Sequence, residues 1–233
     1  MRNNMKLAFI FDMDGVLTDN MRLHADSWVE LFRDFGLEGL DAERYLVETA
    51  GMKGVDVLRY FLDPKISEPE AQRLTELKDF LYRVMSRDLI KPMPGLYEFL
   101  NSAEQHEISL GIGTGAGPRN IDYVLDILNL TDTFQAIVNP FQVLHGKPQP
   151  DIFLRAAELL DVHPSRCIVF EDALPGVEAA RKAGMKCVAV TTTNSADAFS
   201  CFENIVKIID DFTQISADEL RQLFHEKQPL TLL

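Results

Sequence analysis

The stretch Phe9-Ile10-Phe11-Asp12-Met13-Asp14-Gly15-Val16-Leu17-Thr18 decides how this chain folds and where its chemistry lies. The apolar run from Leu7 to Phe11 predicts a short strand that is buried on both faces. Two carboxylates follow at once, and the next residue, Gly15, permits a sharp turn. A turn with two solvated acids is the plain alternative. Acids that end a buried strand are costly unless a ligand uses them, so the stretch predicts a ligand site there.

Length and composition limit the classes of protein to which the chain can belong. Its 233 residues are enough for one large domain or two small ones, and 46% of them are hydrophobic, which supplies a core. The 36 acidic residues against 23 basic ones give a net charge of −13. This charge disfavours nucleic acids and anionic membranes as partners, because both attract clustered cations. An anionic substrate held locally by a metal ion and a lysine stays compatible with it.

The cysteines and the N-terminal residues predict a cytoplasmic protein. The three cysteines are odd in number and have no metal-ligand spacing, which argues against a disulfide framework: Cys167, Cys187 and Cys201. The apolar run before Asp12 is too short for a signal peptide. No stretch approaches the ~20 apolar residues that a membrane span needs. We expect a monomer, with neither a membrane nor a nucleic acid as its partner.

The residues that follow the first strand predict a helical insert. Apolar side chains recur at helical spacing and stop before Gly36, a residue typical of helix ends: Trp28, Leu31, Phe32 and Phe35. Two short helices are predicted over 41–49 and 53–62. A longer helix is predicted over about 68–87, with one apolar stripe: Leu74, Leu77, Leu81 and Val84.

This insert predicts two domains. Residues 19–91 are expected to form a helical cap domain, and residues 1–18 and 92–233 the catalytic core. Pro92 and Pro94 break the helical pattern where the insert ends. The connecting segments near 16–20 and 88–94 are therefore expected to act as hinges.

From Gly95 onward, predicted helices and strands alternate. The helices are predicted over 95–105, 118–128, 150–160, 175–183 and 216–226. The strands are predicted over 108–113, 136–138, 167–170, 186–190 and 205–209. This alternation is typical of the α/β class with a doubly wound parallel sheet.

Chemically distinctive residues lie where four of the predicted strands end. Thr114 lies in Gly113-Thr114-Gly115-Ala116, Lys147 lies in Gly146-Lys147-Pro148, and Glu171-Asp172 close a later strand. The carboxyl ends of parallel strands share one edge of a sheet, so these residues are expected to converge on Asp12 and Asp14.

The run Asp12-x-Asp14-Gly15-x-Leu17 resembles the first motif of the haloacid dehalogenase superfamily of phosphatases and phosphomutases. Thr114, Lys147 and the pair Glu171-Asp172 match its later motifs in the correct order. The resemblance implies a Rossmann-like core with an inserted helical cap. It also implies that Asp12 is a nucleophile, which forms an aspartyl-phosphate, and that Asp14 is a general acid/base.

The same four acids predict a metal ion. At 4 Å, one like-charge pair costs about 4 kcal/mol at an effective dielectric of 20, so a cluster of acids binds protons or a cation. All-oxygen ligands and phosphate chemistry point to Mg²⁺. The resemblance implies that Asp12, the backbone carbonyl of Asp14 and Asp172 hold the ion, with Glu171 as a direct or water-mediated ligand. The plain alternative for Glu171-Asp172 is a helix cap.

The other residues of these motifs predict a phosphate site. Lys147 and the metal ion together offset the charge of an incoming phosphate, although an ordinary surface lysine is the alternative for Lys147. Thr114 supplies a hydroxyl, and Gly115 and Ala116 supply backbone N–H groups for the phosphoryl oxygens.

The entry to the cap suggests a branch of this family. The cap-entry sequence resembles the cap entry of the β-phosphoglucomutase-like subgroup over the run Met21-Arg22-Leu23-His24-Ala25-Asp26-Ser27-Trp28. In that subgroup the matching His assists the acid/base Asp. Lys53-Gly54-Val55 resembles the substrate loop of that subgroup. The resemblance implies substrate binding by His24, Trp28, Lys53 and Gly54. A half-buried helix residue is the alternative for His24, and a solvated lysine is the alternative for Lys53.

Two departures favour a phosphatase over a mutase. Val57 and Gly117 stand where a β-phosphoglucomutase carries an Arg and a Lys that grip the second phosphate of a bisphosphate. Each lost contact is worth roughly 1.5–3 kcal/mol, and Arg119 is a candidate replacement for one of them. We therefore expect a Mg²⁺-dependent phosphatase of a small phosphorylated metabolite, such as a sugar phosphate. A β-phosphoglucomutase is the alternative.

Two other classes of protein use similar residues. A response-regulator receiver also places Asp, Thr and Lys on a parallel sheet, but the predicted cap and the Asp14-Gly15 continuation argue against it. An idle sugar-phosphate binder is disfavoured because the catalytic positions are intact: Asp12, Asp14, Thr114, Lys147 and Asp172.

Overall fold

A single parallel sheet organises the chain in the computed structural model, which describes residues 6–49 and 54–224. Its strands are β1 (Ala8–Phe11), β2 (Ser109–Gly113), β3 (Ala136–Val138), β4 (Cys167–Glu171), β5 (Lys186–Val190) and β6 (Ile205–Ile209). They lie in the order β3-β2-β1-β4-β5-β6, and all neighbouring pairs run parallel. The predicted α/β fold with a doubly wound parallel sheet is confirmed.

The helices follow the predicted alternation. Those of the insert are α1 (Met21–Asp34), α2 (Ala42–Glu48), α3 (Gly54–Phe61) and α4 (Glu68–Ser86). Those that cover the sheet are α5 (Leu96–Gln105), α6 (Pro118–Ile127), α7 (Asp151–Leu159), α8 (Leu174–Lys182) and α9 (Ala217–Gln222). Most bounds differ from the predicted ones by one or two residues. The last helix is shorter than predicted, and positions 225 and 226 lie outside the described residues.

Strand β1 is buried on both faces, as its unbroken apolar run predicts. Phe9 and Phe11 belong to the hydrophobic cluster on one side of the sheet, and Ala8 and Ile10 to the cluster on the other. The ring of Phe11 stacks on that of Phe170 in β4, with 4.5 Å between the centroids. Full burial of each large apolar side chain stabilises the fold by about 1.5–3 kcal/mol. The strand that carries the acids is thus held rigidly at the centre of the sheet.

The insert has a hydrophobic cluster of its own. Trp28, Leu31 and Phe32 of α1 pack there with buried residues of the three other insert helices. Where the insert leaves and rejoins the sheet, the two connecting segments touch, because the N–H of Met93 donates a hydrogen bond of 2.9 Å to the carbonyl of Leu17. The division into a cap and a core, and hinge motion between them, stay predictions.

The predicted apolar stripe of α4 is only half buried. Leu74 is buried and Leu81 packs against the cluster of the insert, whereas Leu77 and Val84 are 44% and 59% exposed. From Leu74 the buried face continues through polar residues at successive intervals of four: Lys78, Tyr82 and Ser86. The physical reason is that these polar groups find partners in the interior, as described below, so that burial follows hydrogen bonding and not apolarity alone.

Two further expectations concern the cysteines and the membrane. All three cysteines are free thiols, with Cys167 and Cys187 buried and Cys201 exposed. Among the helices of residues 6–49 and 54–224, none combines the length and the apolar character that a membrane crossing requires.

The stacked position of Phe11 yields a stability prediction. Phe11→Ala is expected to lower the free energy of unfolding by about 3–5 kcal/mol, because it leaves a cavity between the packed aromatic rings. Phe141→Ala is the matched control, since Phe141 is 74% exposed. Urea titration followed by circular dichroism measures both variants. Equal losses would contradict the central role of β1.

Candidate active site

The turn after β1 needs glycine at position 15. The N–H of Asp12 donates to the carbonyl of Phe170 at 2.9 Å, so the strand pairing continues up to the first acid. Gly15 then has a φ of +76°, and a Cβ atom placed on it would lie 2.0 Å from Oδ2 of Asp172. The turn therefore brings the first and fourth strand ends together at a distance that no other residue allows.

Lys147 lies between two acids at the end of the sheet. Its Nζ is 2.9 Å from Oδ1 of Asp12, as an ion pair, and it also donates to Oε1 of Glu171. The other carboxylate oxygen of Glu171 accepts the N–H groups of Asp172 and Ala173, both at 3.0 Å. Glu171 thus has both oxygens engaged, and it positions Lys147 and the loop that carries Asp172.

The loop after β5 completes the site, and the sequence analysis missed it. Thr193 donates to Oδ2 of Asp172, and the side-chain amide of Asn194 donates to the Asp172 carbonyl at 3.0 Å. Thr192 donates to the carbonyl of Gly15 at 2.5 Å. The signal in the sequence was a polar run directly after the strand at 186–190, which ends at the same edge of the sheet. These side chains hold the acid and the turn in place.

Three acids form a group that fits a metal ion. Asp12, Glu171 and Asp172 are buried, and each offers an oxygen within 4.8 Å of the others. Oδ1 of Asp12 is buried without a well-oriented hydrogen bond. Mg²⁺ prefers oxygen ligands, so these three carboxylates fit the ion by charge and by ligand type. A helix cap does not explain Glu171-Asp172, because Ala173 is the residue that precedes α8 and no side chain caps it.

The clustering of acids and their burial make two of these carboxyl groups harder to ionise. Burial raises the pKa of Asp12 to about 7, opposed by Lys147 and reinforced by Glu171 and Asp14. The pKa of Asp172 is also raised, first by burial and then by Glu171 and Asp12. A divalent cation removes this repulsion, so it and protons compete for the same oxygens.

Asp14 lies in a different environment. Its Oδ1 accepts a hydrogen bond of 2.6 Å from the side-chain amide of Asn20, and Nε2 of His24 lies 3.4 Å away. The same Asn20 side chain accepts the N–H of Gly15 at 3.2 Å. Burial alone would raise the pKa of Asp14, but His24, Asn20 and Lys78 outweigh it, and the net pKa is lowered. The structure therefore brings His24 to Asp14, and its assistance to this acid stays a prediction.

Helix α4 contributes two buried side chains that the sequence analysis missed. The ring of Tyr82 stacks on that of His24, with 3.8 Å between the centroids. Nζ of Lys78 lies 3.4 Å from Nδ1 of His24 and 5.3 Å from the centre of the Trp28 ring. Both residues follow the helical interval i, i+4, but polar residues at that spacing usually form a solvated face, so the pattern gave no distinguishing signal.

The predicted phosphate loop follows β2, the strand that pairs with β1, at the same edge of the sheet as Asp12. Thr114 is buried, and its Oγ1 accepts the N–H of Ala116 at 3.1 Å. Its own N–H donates to the carbonyl of Val138 at 3.0 Å, which fixes the loop on β3. A Cβ atom on Gly115 would meet no atom within 4 Å, so this side of the loop is open. Arg119 is exposed at the start of α6.

The remaining predicted residues lie in the insert. Trp28 is 5% exposed and packs against Phe32 and Tyr45. A Cβ atom on Gly54 would lie 3.1 Å from Oγ1 of Thr75, so this glycine lets α3 approach α4 closely. Packing accounts for both residues, and their contact with substrate stays a prediction. Lys53 lies outside the described residues.

Comparisons with known proteins agree with this arrangement. A family model described as haloacid dehalogenase-like hydrolase matches residues 7–184, a range that contains every acid of the site. The β-phosphoglucomutase of Bacillus subtilis (strain 168) is 33% identical over 195 residues, which make up 78% of this chain and 82% of that protein. The fructose-1-phosphate phosphatase of Escherichia coli (strain K12) is 32% identical over 183 residues, 78% of this chain and 95% of that protein.

A solved structure extends the likeness to the whole fold. The crystal structure of a HAD hydrolase of family IA, variant 3, from Entamoeba histolytica HM-1:IMSS has a TM-score of 0.87 and 26% sequence identity. The match covers 94% of this chain and 99% of that chain. It therefore includes the insert as well as the sheet.

The close approach at Gly15 yields a test of the site geometry. Gly15→Ala is expected to lower turnover by more than about 100-fold, because the new methyl group displaces Asp172. Gly36→Ala is the matched control, since Gly36 has a similar φ of +79° and no neighbour within 4 Å. Both variants carry the left-handed strain of about 1–2 kcal/mol. Hydrolysis of p-nitrophenyl phosphate and thermal melting compare them, and equal activity would contradict the geometry.

The acid cluster yields a second prediction. Mg²⁺ is expected to raise the melting temperature, and the increase should shrink as the pH falls from 8 to 6, because protons then occupy carboxylates whose pKa is raised. Asp172→Asn should lose most of the increase. Asp132→Asn, which changes an exposed acid, should retain it. Scanning fluorimetry with and without Mg²⁺ measures this, and an unchanged response in Asp172→Asn would disprove the assignment.

Proposed function

We propose that this chain, which belongs to the haloacid dehalogenase-like hydrolases, is a Mg²⁺-dependent phosphatase of a small phosphorylated metabolite. Membership of the family makes it an enzyme, a phosphatase or a phosphomutase. The observation that carries the proposal is the contact of Lys147 with Asp12 and Glu171 beside Asp172, with Asp14 two residues from Asp12. This arrangement supports a nucleophilic acid, a phosphate-binding cation and an acid/base at one edge of the sheet.

In the first step of the proposed mechanism, a carboxylate oxygen of Asp12 attacks phosphorus in line with the leaving oxygen. The bond from phosphorus to that oxygen breaks, and Asp14 donates the proton that the departing alcohol needs. Lys147, the N–H group of Gly115 and the hydroxyl of Thr114, which the N–H of Ala116 holds in place, stabilise the charge on the phosphoryl oxygens. Asp12, Asp172 and the carbonyl of Asp14 would hold Mg²⁺, which adds positive charge there when bound.

In the second step, water hydrolyses the aspartyl-phosphate on Asp12. Asp14, now a carboxylate, takes a proton from the attacking water, and phosphate leaves with the Asp12 carboxylate restored. The contacts that lower the pKa of Asp14 favour the ionised form that this step requires. Its place between His24 and Asn20 therefore supports the role of Asp14 as the base of this second step.

The substrate class rests on the relatives. One is a β-phosphoglucomutase and another a fructose-1-phosphate phosphatase, so we infer that this chain also acts on a sugar phosphate or a similar small ester. The net charge of −13 fits a substrate whose charge is met locally by Lys147 and a metal ion.

Hydrolysis is favoured over transfer to a second phosphate position. Val57 is 2% exposed and belongs to the hydrophobic cluster of the insert. Around Gly117, a Cβ atom would meet only the ring of Phe141, at 4.0 Å. Neither position therefore offers a cation for a second phosphate. A β-phosphoglucomutase is kept as the second candidate because of the 33% identity to one, with Arg119 as the available cation.

Phosphorus NMR distinguishes the two activities. The protein is incubated with Mg²⁺, β-glucose 1-phosphate and a catalytic amount of glucose 1,6-bisphosphate, and a panel of sugar monophosphates is run in parallel. We expect inorganic phosphate from at least one ester. Accumulation of glucose 6-phosphate would instead establish the mutase.

Removal of the nucleophile or of the metal ion is expected to stop the reaction. Asp12→Asn should lower turnover by more than about 1,000-fold, because the amide cannot form the aspartyl-phosphate. EDTA should abolish activity, and added Mg²⁺ should restore it. Asp34→Asn, on the exposed end of α1, is the control and should retain activity. Full activity in EDTA would refute the metal requirement.

A further inference from the structure

The acid/base Asp14 is connected to helix α4 by a chain of hydrogen bonds. The side-chain amide of Asn20 donates to Oδ1 of Asp14 and to the hydroxyl of Tyr82, at 2.6 Å in both cases. Asn20 and Tyr82 are both fully buried. A hydrogen-bonded amide between a carboxylate and a phenol has no freedom to turn without losing one of its partners. The hydroxyl of Tyr82 therefore restricts the orientation of Asn20, and Asn20 restricts that of Asp14.

The part of α4 that carries Tyr82 also contacts helix α6, which covers the sheet. Ser86, one turn further along α4, donates to the carbonyl of Tyr82 at 2.6 Å and lies 2.9 Å from the hydroxyl of Tyr123 in α6. Tyr123 donates in turn to the carbonyl of Arg83 at 2.8 Å. Helix α4 is thus fixed against α6 where Tyr82 reaches Asn20.

The composition of α4 supports a role beyond packing. This helix buries a polar stripe, Lys78, Tyr82 and Ser86, while Leu77, Phe80 and Val84 of the same helix are exposed. Burying hydroxyl and ammonium groups in place of available apolar side chains does not favour stability. Departures of this kind from the usual pattern are expected where a helix serves a functional site.

We propose that Tyr82 is a positioning residue that acts on Asp14 through Asn20. The orientation of the acid/base carboxylate then depends on helix α4. This inference rests on the proposed phosphatase function and extends it to a residue outside the site motifs. Tyr82 does not touch the substrate in this scheme. Its hydroxyl holds the amide that aims Oδ1 of Asp14.

The test removes only the hydroxyl. Tyr82→Phe retains the ring that stacks on His24 and leaves the Asn20 amide short of one acceptor. The measured quantity is kcat/KM, which includes the departure of the alcohol but not the later attack of water. Two esters are compared: the sugar phosphate that the wild type cleaves best, and p-nitrophenyl phosphate, whose leaving group departs without a proton.

A positioning role predicts a selective loss. In Tyr82→Phe, kcat/KM for the sugar phosphate should fall about tenfold, the loss expected for one hydrogen bond, while that for p-nitrophenyl phosphate should fall less than about twofold. The control is Tyr45→Phe, another buried tyrosine of the insert, which should change neither value. The response of the melting temperature to Mg²⁺ should be the same in both variants and the wild type.

A double-mutant comparison tests the path through Asn20. Once Asn20→Ala has removed the amide, adding Tyr82→Phe should have no further effect on kcat/KM for the sugar phosphate. Losses that multiply would overturn the proposal, as would an equal loss with both esters in Tyr82→Phe. If Tyr82→Phe does not fold, Asn20→Ala is measured by itself: a selective loss supports the path through Asn20, and an unselective one refutes it.

These outcomes separate the two proposals. A wild type that cleaves p-nitrophenyl phosphate and sugar phosphates, with a Tyr82→Phe variant of unchanged selectivity, disproves the positioning role and leaves the phosphatase standing. A wild type that cleaves no ester overturns both.

Discussion

The rest of the structure depends on an excess of buried negative charge at one end of the central strand. Asp12, Glu171 and Asp172 lie within reach of one another, and within the described part of the chain the ammonium of Lys147 is the cation that pairs with this group. Like charges at such distances repel by several kcal/mol at a moderate dielectric, about 4 kcal/mol for a pair at 4 Å. The protein maintains the arrangement because strands on both sides hold β1 and because backbone N–H groups satisfy Glu171. The packing leaves a surplus of negative charge, which in the proposed function attracts Mg²⁺, so that the ion and Lys147 together can attract a phosphate.

Within this cluster the two acids of the first motif have opposite environments. Asp12 faces other acids, and burial raises its pKa. Asp14 faces His24 and Asn20, and its pKa is lowered. Residues i and i+2 of a strand point to the same side, but β1 ends at Phe11 and the chain turns at Gly15, so the two carboxylates meet different sets of neighbours. The proposed division of labour, with one nucleophile and one acid/base, rests on this difference in surroundings.

Helix α4 shows how the insert takes part in the site. Its buried polar stripe joins His24, Asn20 and the helix α6 of the sheet side, whereas its apolar side chains lie partly in solvent. The insert is thus more than a cover for the sheet, since the contacts of Asp14 come from Asn20, at its entry, and from His24 on α1. A family likeness that covers both regions is consistent with this interdependence.

The sequence by itself determined the sheet, the order of its elements and the six motif residues at its edge, because hydrophobic period and parallel-strand geometry leave little choice for them. The ends of β1, β2 and β4 carry five of these residues, Asp12, Asp14, Thr114, Glu171 and Asp172, and Lys147 lies in the segment between β3 and α7. Only the tertiary structure decided which polar residues support them: Asn20, Lys78, Tyr82, Thr192, Thr193 and Asn194. Those residues follow no period of their own, and their roles arise from contacts between segments up to 177 positions apart, as between Thr192 and Gly15. Two residues of the predicted stripe of α4, Leu77 and Val84, are exposed for the same reason, since a helix buries the face that finds partners, and the partners belong to other elements.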